Sequence, residues 1–91
     1  MSLSDGLKKA GLPAHLNNVI GKICQITFRG GDRVAAMTVA NVQMTSTSLI
    51  LAMVVNTDPD LVPVVGVQYC FELQGWFAYG PAGRSVTINL L

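Results

Sequence analysis

After Gly21 the chain alternates. Cys24, Ile26 and Phe28 are apolar, and Gln25, Thr27 and Arg29 between them are polar, with Ile23 leading the run. That period of two predicts a strand with one dry face. Arg29-Gly30-Gly31-Asp32 is the strongest turn signal in the chain, because adjacent glycines supply the positive φ a tight hairpin needs. Arg33–Met44 is the return strand. Val34, Ala36, Thr38, Ala40 and Val42 lie on one side of it, and Ala35, Met37, Val39, Asn41 and Gln43 on the other. Its small alanines imply close packing or strong curvature. Thr45-Ser46-Thr47 is a turn, and Ser48–Val55 is a third strand that is apolar on both faces. Such a strand has to be central, covered by a helix, or covered by another subunit, because an open apolar edge invites aggregation. Residues 56–63 hold Asn, two Asp and two Pro and form a loop. Val64–Tyr79 contains a fourth strand, interrupted or bulged at Gly75. Gly80-Pro81-Ala82-Gly83 is a turn before a last strand, Arg84–Leu91.

The N-terminal part has a different period. Ser4 or Asp5 can cap a short helix that Gly11 ends. Leu12, Leu16, Val19 and Ile20 then recur at helical spacing, which makes Leu12–Ile20 the stronger helical segment, with Gly21 as its C-cap. The predicted fold is mainly β: a short N-terminal helix followed by about five antiparallel strands in a small bent sheet or barrel. Residues 1–91 read as a single domain, with 1–20 helical and 21–91 the β core.

Composition sharpens this picture. A domain of 91 residues buries only about 60–65% of its extended surface. Yet 51% of its residues are hydrophobic and 12% charged, against about 25% charged in an ordinary domain. The formal net charge is +1, split as +3 over residues 1–33 and −2 over 34–91, and Val34–Thr57 has no charge. No strongly basic footprint exists to draw nucleic acid. Lys8 and Lys9 precede no long apolar stretch, and Leu49–Val55, the longest fully apolar run, is far short of the ~20 residues a spanning helix needs. A lone membrane hairpin would leave open edges in lipid. A cytoplasmic location without membrane contact is the expectation.

Candidate chemistry is sparse. Cys24 and Cys70 are expected as two free thiols, since small oxidised scaffolds carry more cysteines. One histidine and scattered carboxylates show no metal-ligand spacing. Asp58 and Asp60 could meet a hard cation, but a solvated turn is the favoured reading. His15 reads as structural, and nothing places Glu72 opposite a second acid. Arg29 and Arg33 around two glycines resemble an anion site, without the strand-to-helix context and Lys-Ser/Thr pair of a phosphate loop. The aromatics Tyr69, Phe71, Trp76, Phe77 and Tyr79 lie within 11 residues. They suit a core, an oligomer interface, or a stacking platform for bases or sugars. Glu72 is the one charge among them, which favours core or interface.

Between Leu16 and Leu51, a helix, Ile20-Gly21-Lys22, a strand, the Gly30-Gly31 hairpin and Ser48-Leu49-Ile50-Leu51 resemble the organisation of Sm-like RNA-binding ring proteins. The resemblance covers under half the chain. It implies a bent sheet that pairs edge strands between subunits. The Arg-Gly signature of RNA contact is missing at the end of the chain, where Gly83-Arg84 has the reverse order.

The expected function is therefore a non-enzymatic structural or interaction module, without cofactor or metal, that assembles as a homo-oligomer. A viral or phage particle component and a bacterial scaffold protein fit equally. Leu49, Leu51, Met53, Trp76, Phe77 and Tyr79 are the candidate interface. The alternative is a small-barrel nucleic-acid binder (Sm-like or OB-like), in which Lys22, Arg29 and Arg33, with Lys8 or Lys9, converge on one face. That binder is not the favoured reading. An enzyme ranks third. Because the last strand runs to Leu91, deleting the final three residues should impair folding, read as a lower melting temperature by circular dichroism.

Overall fold

The computed structural model describes residues 2–28, 34–55, 66–79 and 84–91. Helix α1 (Leu3–Lys9) is followed by a single 3₁₀ turn (Leu16–Asn18) and six strands: β1 (Ile23–Phe28), β2 (Val34–Met44), β3 (Ser48–Val55), β4 (Gly66–Cys70), β5 (Gly75–Ala78) and β6 (Ser85–Leu90). The strands close into a barrel in chain order, every neighbouring pair antiparallel.

The N-terminus corrects two expectations. The cap of α1 is Ser2, not Ser4 or Asp5. Its Oγ accepts from the Asp5 backbone N–H at 3.2 Å, and Asp5 reaches back to the Ser2 N–H at 3.5 Å, a capping box. Hydrogen bonding to the side chain and backbone of Ser2 holds the Asp5 carboxyl below the usual carboxylate range. The helix ends as expected at Gly11 (φ +78°). The Gly11 N–H donates to the Lys8 carbonyl and the Leu12 N–H to that of Leu7, the paired bonds of a Schellman motif. Residues 12–20, in contrast, make only the one 3₁₀ turn. Pro13 contributes no N–H, His15 is extended and caps nothing with its side chain, and Asn17-Asn18 has weak helix propensity. The helical spacing still marks inward positions there, since Leu12 and Val19 are buried.

The barrel has six strands because the interruption predicted at Gly75 is a full reversal. The turn spans residues 71–74, and the Gln74 N–H closes onto the Cys70 carbonyl at 2.8 Å. The left-handed residue is Gln74 (φ 51°), one before the glycine. Residues 45–48 make the other tight turn, with the Thr45 hydroxyl accepting from the N–H groups of Thr47 and Ser48. The predicted hairpin at 29–32, the loop at 56–63 and the turn at 80–83 lie outside the described residues.

The alternation of β2 does not run unbroken. A register shift between Val39 and Asn41 inserts Ala40 as an extra residue, so Met37, Val39 and Val42 are all buried while Ala40 and Asn41 are both exposed. The bulge bends the longest strand, which is the curvature the alanines implied. Inside the barrel, Cys24, Ile26, Phe28, Met37, Val39, Leu49, Leu51, Val67 and Val86 form a continuous buried cluster. Helix α1 adds Leu7, which is fully buried. It sits at the end of the barrel near Met44 and Phe71, where a Cβ on Gly6 would lie 2.5 Å from the Met44 Sδ and 3.5 Å from the Phe71 ring.

A glycine is required at position 66 for a different reason. Its missing Cβ would press on the carbonyl oxygen of Leu51, part of the paired β3 backbone. Backbone cannot rotate away, so Gly66→Ala should lower unfolding free energy by about 1–3 kcal/mol in a urea titration. Gly6→Ala presses on the flexible side chain of Met44, with Phe71 at ordinary contact distance, and should cost clearly less.

Candidate interaction site

The inward and outward faces of the barrel can be assigned residue by residue. On β3, Leu49, Leu51 and Met53 point inward with exposures of 0, 0 and 9%. They are enclosed by the chain's own strands rather than offered to another copy. The alternate residues Ile50 and Ala52 are half-buried, and Val54 is 57% exposed. Register places Ile23 of β1, Thr38 of β2 and Val54 of β3 in one row across adjacent strands. Ile23 is 44% exposed. The outer wall of β1–β3 thus presents Ile23, Ile50, Ala52 and Val54 among Thr, Gln, Asn and Ala.

None of the residues in β1–β6 is charged. Every Lys, Arg, Asp and Glu falls in α1, at Lys22 just before β1, or between strands in the sequence. A strand wall with no charge is unusual, because charged side chains normally make up about 25–35% of a small domain's surface.

The predicted aromatic cluster separates into three places. Tyr69, Phe71 and Trp76 stay together and pack on the core near α1. Tyr69 and Trp76 have ring centroids 5.3 Å apart, and Tyr69 and Phe71 6.0 Å apart with an edge-on tilt of 66°, geometries that aromatic pairs favour. Phe77 is half-buried on the outer face of β5, opposite Gln68. Tyr79 is exposed beyond the end of β5, its N–H bound to the Gly66 carbonyl. Two cavities flank the aromatic row, each of about 310 Å³. One is lined by Lys9, Tyr69, Phe71 and Gln74. The other lies between residues 10–13, Trp76 and the end of β6.

The basic residues do not gather among the described residues. Lys22 is exposed just before β1, whereas Arg29 and Arg33 lie outside the described residues. Phe28, at the other end of β1, is six residues along an extended strand from Lys22, roughly 20 Å at strand rise. Arg84 lies at that far end, with its guanidinium 5.7 Å over the Phe28 ring. Lys8 and Lys9 are on α1, which caps the opposite end. Among the described residues no group of three His, Cys, Asp or Glu could hold a metal ion. No helix there is long and apolar enough to cross a membrane. Asp58 and Asp60 lie outside the described residues. His15 is exposed at the head of the 3₁₀ turn.

The outer-wall residues Ile23, Ile50, Ala52 and Val54 were not anticipated as a site. A signal for them exists: β3 pairs Ile50 with Gln43 and Ala52 with Asn41, so the polar residues of β2 mark which side of β3 faces out. Comparisons with protein-family models, with curated proteins and with solved structures find no match to this chain.

The two thiols have opposite settings. Cys24 is buried inside β1, and burial pushes its thiol up from 9.0 to about 11. Cys70 is half-buried on β4. At pH 8, Ellman's reagent should label Cys70 in the folded protein and Cys24 only after denaturation. The unfolded Cys24 thiol ionises at a lower pH than the folded one, so the folded state binds more protons between pH 9 and 11. Stability should therefore fall as pH rises through that window, by at most about 1.4 kcal/mol per pH unit from this group. Cys24→Ala should remove that part of the slope in urea titrations.

Proposed function

We propose that the chain is a non-enzymatic interaction module that assembles with copies of itself through the outer wall of β1–β3. The observation that carries this reading is the absence of charge from all six strands, combined with exposed Ile23 and Val54 in one cross-strand row. Burying such a wall desolvates no ionised group, so the penalty for burying charge is absent. Each Å² of aliphatic surface removed from water contributes about 25 cal/mol. A neutral wall gives a charged partner nothing to pair with, whereas a second copy brings the same neutral, β-branched surface. Because the barrel closes on itself, contact is face to face through side chains. A standard interface takes about 800 Å² from each partner, roughly a seventh of the 5343 Å² surface of this chain.

Light scattering on the full chain across the micromolar range tests the proposal. The expected mass is a multiple of 9.7 kDa, and Ile50→Lys with Val54→Lys should return it to a single folded chain. A wild-type protein that stays at the mass of one chain throughout the range refutes it.

A further inference from the structure

Strand β6 has a partner along its whole length on one side only. On that side it follows β1 from Val86–Phe28 to Leu90–Cys24. On the other side β5 pairs with it at Trp76–Val86 and Phe77–Ser85 alone. The direction of the remaining backbone groups follows from the ladder. The Leu91 N–H donates to the Ile23 carbonyl at 2.9 Å, and polar groups alternate sides along a strand. Thr87 and Asn89 therefore turn toward β1, and Ile88 and Leu90 turn toward the place that β5 does not reach.

At that place lies the cavity of about 310 Å³, lined by Ala10, Gly11, Leu12 and Pro13 across from Trp76 and Ile88–Leu90. The opposite wall has no N–H to offer. The N–H groups of Ala10, Gly11 and Leu12 are spent on the carbonyls of Gly6, Lys8 and Leu7, and Pro13 has none. Among the described residues, the amides and carbonyls of Ile88 and Leu90 thus have no backbone partner. No charged side chain lines the cavity.

We propose that this edge receives an extended, uncharged peptide segment of a partner protein, which adds to β6 as a strand and places an apolar side chain against Trp76. Two N–H and two C=O groups at ladder spacing are matched in full by another β backbone. The indole of Trp76, with Leu12 and Pro13, supplies an apolar wall for one side chain, and the uncharged lining selects against acidic or basic residues there. The matching edge of a second copy lies beside its own cavity, behind its own residues 10–13, so a free segment fits better than another barrel. The site is on the β5–β6 side, across the barrel from β2, and does not depend on self-assembly at β1–β3.

Selection of random ten-residue peptides displayed on phage, with the full chain as bait, supplies the probe. The selected sequences are expected to be uncharged with alternating apolar residues. A synthetic copy should bind in fluorescence anisotropy and slow hydrogen exchange at the Ile88 and Leu90 amides. N-methylation of alternate peptide amides, which leaves the protein untouched, should abolish binding. Trp76→Ala should weaken binding at least tenfold with the circular dichroism spectrum retained. The proposal is overturned if no peptide is enriched, if N-methylation leaves binding intact, or if the protected amides map to β1–β3. It is also overturned if the Ile88 and Leu90 amides become protected at high protein concentration without peptide, which would make a second copy the occupant.

Discussion

The pairing of β1 with β6 is the constraint on which the rest of the structure depends. Five residue pairs, from Cys24–Leu90 to Phe28–Val86, join the first strand to the last and turn a sheet into a barrel. A sheet of six short strands left open would expose two edges and one whole apolar face, and a domain this small has no second layer with which to cover them. Closure covers that face with the sheet itself. It also requires bending, which the bulge at Ala40 supplies to the longest strand. Among the strand pairings β1–β6 is the most non-local, so its loop-closure entropy is offset only when the intervening strands are already in place.

Closure also decides what the surface can be. β3 is paired on both sides, to β2 and β4, and its Leu49 and Leu51 fill the interior. Ile50, Ala52 and Val54 remain outside. Among the described residues the charged side chains lie on α1, at Lys22, at Glu72 and at Arg84, all outside the strands, so the strand wall is neutral. Helix α1 closes one end with Leu7, and its Schellman turn at Gly11 carries the chain past the gap beside β6. The short β5 leaves that gap. The barrel is thus fully laced at mid-height and incompletely laced beside the helix.

Much of this architecture was legible from the chain. The period-two run at 23–28, the strand at 48–55 and the stop at Gly11 depend on local chemistry, and each stands where local chemistry puts it. The sixth strand was hidden because a four-residue reversal with a left-handed Gln74 has no strong turn signature; the adjacent glycine attracted the break instead. The supposed helix at 12–20 shows tertiary packing overriding spacing: Leu12 and Val19 are buried although the segment makes only one 3₁₀ turn. The site was less legible than the fold. A strand apolar on both faces does not say which face is inside, and the large residues Leu49, Leu51 and Met53 drew attention as an interface for the same reason that they fill a core. The gap beside β6 depends on a difference in strand length between β5 and β6, and no single residue encodes that.

Trp76 joins several of these features. It is the single tryptophan of the chain, it pairs with Val86 across β5–β6, its ring packs at a 60° tilt against that of Tyr69, and it forms a wall of the cavity beside β6. Tryptophan fluorescence of this protein therefore comes from one place. The same ring senses the packing of the barrel from one side and the contents of the cavity from the other. The molecule carries its own optical probe at the seam where its strands are least completely joined.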